Sequence, residues 1–235
     1  MTQKSPVLTI DGPGGSGKGT VGQRLAWKFG WEFLDSGALY RLVGLSALKK
    51  SVALNDVDAM TKLALHLDAQ FAVKEGIHGA ESITLLEDKD VTAELRTEVC
   101  ASAASQVAQY QQVRDALLER QRAFRVEPGL VADGRDMGTT VFPDAQLKIF
   151  LTASAEIRAE RRFKQLKSKG VDATLPAILA DIRARDERDR NRSVSPLIPA
   201  DDAIIIDTSD LSVDDVELRV LHLAEKTFRQ ELLAE

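Results

Sequence analysis

Apolar positions along this chain follow two periods, and the change between them marks the elements. Val7 to Ile10 is a short β-branched run that stops at Asp11 and a glycine cluster, and residues 21–29 then read as a helix. Compact apolar runs of the same kind recur at 129–133, 146–151 and 203–207, each ending near a polar residue. Helices are expected at about 38–50, 92–123, 155–169, 174–192 and 213–233. The last opens with Ser212 as N-cap and Asp215 three residues on. It sets Val216, Val220, Leu223 and Phe228 along one face for core packing. Short buried strands separated by helices imply an α/β protein with a parallel sheet covered on both faces.

One stretch departs from this. Leu67, Ala69, Phe71 and Val73 alternate with mostly polar neighbours, residues 75–79 supply a turn, and residues 82–86 resume an extended pattern. Residues 66–91 therefore read as a small antiparallel insert.

At 235 residues and 44% hydrophobic, the chain can bury a full core. Its formal charge of -5 argues against a general nucleic-acid binder, because no net positive field draws phosphate backbones to it. Any phosphate it binds must meet a local cluster of cations. The single cysteine, Cys100, has no partner for an internal disulfide and reads as a small apolar residue in a reducing compartment. A short polar N-terminus with no long apolar run after it predicts neither a secretory signal nor a membrane span, and so a cytoplasmic protein.

Between the first strand and its helix lies Gly12-Pro13-Gly14-Gly15-Ser16-Gly17-Lys18-Gly19-Thr20, which fits the G-x-x-x-x-G-K core of a P-loop. The glycines let backbone N–H groups converge on phosphate oxygens, the helix N-terminus adds its positive end, and Lys18 supplies a cation. The Ser/Thr that usually follows the lysine is Gly19 here, and the hydroxyl comes one residue later as Thr20. Thr20 is the candidate hydroxyl for Mg²⁺. Asp133, closing an apolar strand, is the candidate acid acting on Mg²⁺ through water. The fold expected is thus a P-loop NTPase-type parallel sheet flanked by helices.

Three further segments select among P-loop proteins. They are residues 34–41 (LDSGALYR), residues 132–145 (ADGRDMGTTVFPDA) and residues 185–192 (RDERDRNR). With the G-K-G-T loop they closely resemble bacterial cytidylate kinase, of the nucleoside-monophosphate kinase family, across nearly the whole chain. The resemblance implies a single kinase domain. Its core would be 1–60, 100–154 and 193–235, its monophosphate-binding insert about 61–99, and its helical lid about 155–192. It further implies transfer of the γ-phosphate of ATP, with Mg²⁺, to CMP or dCMP. The partners are then small nucleotides, with no nucleic-acid polymer and no membrane, and a monomer is expected.

By the same resemblance Arg41, Arg135 and Arg192 hold the acceptor phosphate, which suits guanidinium forks. Arg185 and Asp189 lie near the acceptor ribose. Asp136, Arg114 and Ser105 see the cytosine edge, and Ser36 completes the acceptor side. A carboxylate facing the cytosine amine accepts a hydrogen bond, whereas uracil opposes it with an oxygen, so CMP and dCMP are favoured over UMP. Arg161 and Arg162, with Lys18, reach the transferring group as the lid closes and excludes water.

Plainer readings stand beside these. Ser36 at a helix start serves as an N-cap, Ser105 as a small packing residue, and Arg162 as a solvated charge. Arg185, Arg188, Asp189 and Arg192 share one helix face at i, i+3, i+4 and i+7, which also suits an exposed helix stitched by salt bridges. The rivals are a P-loop kinase of UMP, AMP or shikimate, and a nucleotide-binding module without transfer.

Overall fold

The computed structural model describes residues 4–76, 79–168 and 170–232. The chain forms two compact units, one made of residues 1–35 and 121–235 and the other of residues 36–120.

In the first unit, strands β1 (Val7–Asp11), β2 (Glu32–Asp35), β6 (Leu130–Gly134), β7 (Leu147–Thr152) and β8 (Ile204–Asp207) form one parallel sheet in the order β2-β6-β1-β7-β8. The parallel register sets Asp11 opposite Gly134 and Asp35 opposite Asp133. β1 and β2 therefore end in a carboxylate, and β6 carries Asp133 one residue before its end, all at the same edge of the sheet, the C-terminal edge where α/β sheets bind ligands. Strand β2 was absent from the elements expected above, because Glu32-Phe33-Leu34-Asp35 offers two apolar residues and no run.

Helix α1 (Lys18–Phe29) packs on β6 and on helix α8 (Val213–Leu232). Leu8, Ile10, Val21, Leu25, Val131, Ile149, Leu151, Val220 and Ala224 form the core between sheet and helices. Each large aliphatic side chain buried there contributes about 1.5–3 kcal/mol. Buried Glu217 joins α8 to α1 through Arg24 at 2.9 Å and Lys28 at 2.6 Å. The start of α8 is a capping box: Asp215 N–H donates to Ser212 Oγ and Ser212 N–H to Asp215 Oδ2, both at 3.1 Å. Helices α6 (Ala155–Ser168) and α7 (Leu175–Asn191) pack on each other. Lys169 and Leu233, where two expected helices end, lie outside the described residues.

In the second unit, α2 (Ser36–Lys49) packs on α3 (Val57–Leu65) and α4 (Glu98–Val107). A Cβ on Gly44 would lie 2.9 Å from the Ala103 Cβ, so glycine is what lets α2 and α4 approach. The antiparallel insert is present as β3 (Ala69–Gly76), β4 (Gly79–Leu86) and β5 (Lys89–Asp90). Two residues of its expected turn, Ile77 and His78, lie outside the described residues.

The long helix expected at 92–123 is in fact a 3₁₀ turn at Glu94–Arg96, then α4, then α5 (Gln111–Arg122). No glycine or proline marks the break. The end of α4 tightens through Gln109 N–H to Gln106 O and Tyr110 N–H to Val107 O, and the Arg114 guanidinium donates to the Ala108 carbonyl at 3.2 Å. Cys100 is 1% exposed and its thiol donates to the Arg41 carbonyl. Burial pushes that thiol up to about 11, against the smaller opposing effect of Arg41.

Among the described residues no helix is long and apolar enough to cross a membrane.

Candidate active site

The glycine loop leaves β1 through a backbone that only glycine allows. Gly12 has φ +144°, and a Cβ there would stand 2.0 Å from the Leu151 carbonyl oxygen. The loop then closes on itself, with Ser16 Oγ and Lys18 Nζ donating to the Pro13 carbonyl at 3.1 and 2.8 Å. Lys18 is 5% exposed and its Nζ lies 3.9 Å from Asp133 Oδ1. Burial, then the nearby Arg135, lower the Lys18 ammonium to about 7. Such a desolvated cation between two arginines gains an anionic partner when phosphate arrives.

Asp133 also approaches Gly19: a Cβ at position 19 would come 3.3 Å from Asp133 Oδ2. Thr20, one residue on, is exposed on α1.

Cations surround the loop. A Cβ on Gly14 would stand 3.5 Å from Arg135 Nη2 and 3.6 Å from Arg185 Nη1, and one on Gly15 would stand 3.3 Å from Arg158 Cβ. Arg135 donates to Asp189 Oδ2 at 3.1 Å. Burial opposes its charge, but Asp189 and then Asp133 outweigh that and hold the guanidinium above its ordinary value. Burial likewise works against the Asp189 carboxylate, yet Arg135, Arg185 and Arg192 bring it below the usual range.

The face of α7 that carries Arg185, Arg188, Asp189 and Arg192 is turned inward. Asp189 and Arg192 are buried and Arg185 and Arg188 half-buried, while Arg183, Glu187 and Arg190 are exposed. Arg192 Nε donates to the Ser195 carbonyl.

Sequence reasoning did not single out Arg158 or Asp11. Arg158 is 2% exposed and donates to the Gly14 carbonyl at 3.1 Å, to Ala153 O at 3.0 Å and to both oxygens of Asp186. It ties α6 and α7 to the loop. Asp11 accepts the Met137 and Gly138 N–H groups at 2.9 and 2.8 Å, beside Asp136. Burial raises its carboxyl to about 7.

The two expected lid arginines are held by Thr208 and by Gln165. Arg161 donates to Thr208 Oγ1 at 3.2 Å and to the Thr208 carbonyl, and half-buried Arg162 to Gln165 Oε1 at 2.6 Å. Thr208 in turn donates to the Ser16 carbonyl at 3.3 Å, so Arg161 is joined to the loop through one threonine.

On the second unit, Ser36 is buried as the first residue of α2, with half-buried Arg41 further along the same helix. Ser105 is buried on α4, and Arg114 lies 5.4 Å over the Tyr40 ring and is 6% exposed.

A strand, a glycine loop and a lysine-bearing helix N-terminus, beside three arginines at the C-terminal edge of a parallel sheet, define a P-loop nucleotide-binding protein. The family described as Cytidylate kinase matches residues 8–226. A cytidylate kinase of Shewanella sediminis is 52% identical over 227 residues, covering 96% of this chain and 98% of its own. One of Pseudomonas paraeruginosa is 55% identical over 226 residues, with coverage of 96% and 98%. A solved gluconokinase from Sinorhizobium meliloti 1021 aligns over 99% of both chains at 14% identity and a TM-score of 0.48. The chain belongs to the cytidylate kinase family.

Proposed function

We propose that the chain transfers the γ-phosphate of ATP to CMP or dCMP, giving CDP or dCDP and ADP. The observation that carries this is the convergence of Lys18, Arg135, Arg158 and Arg185 on one glycine loop of a protein whose net charge is -5. Phosphoryl transfer asks for alignment and for cations opposite the equatorial oxygens, and the acceptor phosphate is already a nucleophile at neutral pH.

In this reading Gly12 to Thr20 cradle the ATP phosphates and Lys18 offsets their charge. Arg135 and Arg192 hold the acceptor phosphate, Arg185 and Asp189 the ribose, and Asp136 accepts from the cytosine amine. On the second unit the same reading assigns Arg41 to phosphate and Ser36, Ser105 and Arg114 to the nucleoside. Arg161 and Arg162 contribute to transfer once α6 and α7 close over the nucleotide, Arg161 by way of its Thr208 anchor.

Mg²⁺ takes one or two carboxylates together with substrate phosphates, and the buried Asp133 beside Lys18 fits that demand. When bound it would offset the negative charge of the phosphates during transfer. The two-unit chain is read as acting as a cytoplasmic monomer on free nucleotides, in keeping with one buried thiol.

The test is ADP formation from Mg-ATP with CMP, dCMP, UMP, AMP, GMP and shikimate offered separately. Activity that strongly favours CMP and dCMP supports the whole assignment. A preference for another acceptor discards the base-reading residues, and ATP binding without ADP release from any of them discards transfer itself.

A further inference from the structure

We infer that Asp11 is a positioning residue for the acceptor nucleotide: it fixes the turn that carries Arg135 and Asp136, and so sets cytosine selectivity from outside the contact shell. The inference rests on the acceptor roles proposed above for those two residues.

The turn at issue is a π-helical stretch, Met137–Val141, whose N-cap position is Asp136. The first N–H groups of any helical turn lack intrahelical partners, and an aspartate at the N-cap ordinarily satisfies one of them. Asp136 makes no such capping bond. The first two N–H groups, of Met137 and Gly138, are held instead by the two oxygens of Asp11, 126 and 127 residues earlier in the chain.

Asp11 is well placed to act as a rigid reference. It closes β1, lies opposite Gly134 in the sheet register, and directly precedes Gly12 of the phosphate loop. Its carboxylate therefore links the strand that sets the donor loop to the segment Gly134-Arg135-Asp136-Met137. Van der Waals contact alone would let the start of this turn rotate, whereas two hydrogen bonds from adjacent N–H groups fix both its position and its tilt. Burial of this carboxyl is costly, since its ionisation is pushed up to about 7, which is a poor choice for a residue that only fills space.

The experiment is steady-state kinetics of Asp11→Asn beside Asp136→Asn, with CMP, UMP and ATP each varied. An amide keeps one acceptor and turns an NH₂ toward the other N–H, so the turn loses one of its two ties. The expected result for Asp11→Asn is a KM for CMP raised about tenfold or more and a CMP-over-UMP preference lowered by a similar factor. The KM for ATP stays within about twofold. Equal changes in the CMP and ATP constants, or none in either, overturn the inference.

Asp136→Asn separates the two levels. If it relaxes the cytosine preference and Asp11→Asn does not, the inference fails and the assignment of Asp136 stands; if Asp136→Asn leaves the preference intact, that assignment fails first. Should Asp11→Asn not fold, hydrogen exchange of the 134–141 peptide in the unaltered protein decides. Slowing by CMP but not by ATP alone supports coupling of this turn to the acceptor, and no slowing by CMP overturns it.

Discussion

Replacing Arg158 by methionine removes a cation that is 2% exposed and leaves the Asp186 carboxylate, itself 7% exposed, without its partner. Three bond sets go at once: to Asp186, to Ala153 O and to Gly14 O. Breaking a buried ion pair from one side costs about 3–5 kcal/mol, most of it the penalty of the charge left behind. That is a large share of a typical stability of about 5–15 kcal/mol. Removing the stranded charge as well, in Arg158→Met/Asp186→Leu, should restore stability to within about 1–2 kcal/mol of the unaltered protein.

Urea unfolding can be followed by tryptophan emission, because Trp27 and Trp31 both lie in the first unit and Trp31 packs against Phe29 and Phe228. Activity should part company with stability. The Gly14 carbonyl loses its tether in both variants, so ADP formation should stay at least about tenfold down in the double variant as in the single one. A single variant within about 1 kcal/mol of the original would refute the reasoning, as would a double variant no more stable than the single.

Ser212→Ala removes the hydroxyl that caps α8, and should cost about 1 kcal/mol, seen as a melting temperature about 2–4 °C lower. Gly44→Ala drives a methyl into Ala103 and the backbone of α4, and should destabilise the second unit by about 1–3 kcal/mol in calorimetry. The Asp11 carboxyl, raised from 3.8 to about 7, holds its proton more tightly in the folded than in the unfolded chain. Its contribution is therefore full below the unfolded value and is lost as pH rises through the folded one. The melting temperature of the unaltered protein minus that of Asp11→Asn should fall between about pH 4 and about pH 7, and a constant difference would contradict the assignment.

What the chain reveals by itself is uneven for physical reasons. β1, the glycine loop and the Ser212 capping box depend on neighbours in sequence, so their pattern is local and readable. β2 is held by pairing with β6 along its whole length, and two apolar residues sufficed, so no run announced it. Helix α3 went unread beside the insert: only Met60 and Ala64 of its nine residues are buried. The break before α5 depends on Arg114 reaching back to Ala108, a bond that composition does not signal.

The site divides the same way. The loop, Arg135 and Arg185 belong to contiguous motifs, while Arg158 is set apart from Arg161 and Arg162 by its bonds to Gly14 O and to Asp186, 144 and 28 residues away. Asp11 carried one local cue, a carboxylate placed between a run of four strand residues and Gly12.

The sealed thiol of Cys100 has a practical consequence. With Cys100 1% exposed and its ionisation pushed up to about 11, the native chain offers maleimide reagents no competitive target at neutral pH. A cysteine placed at an exposed position between α6 and α7, such as Asp172→Cys, would take a fluorophore with no background and without removing Cys100 first. Whether that turn moves on nucleotide binding, as the proposed closure requires, can then be measured in a protein otherwise unaltered.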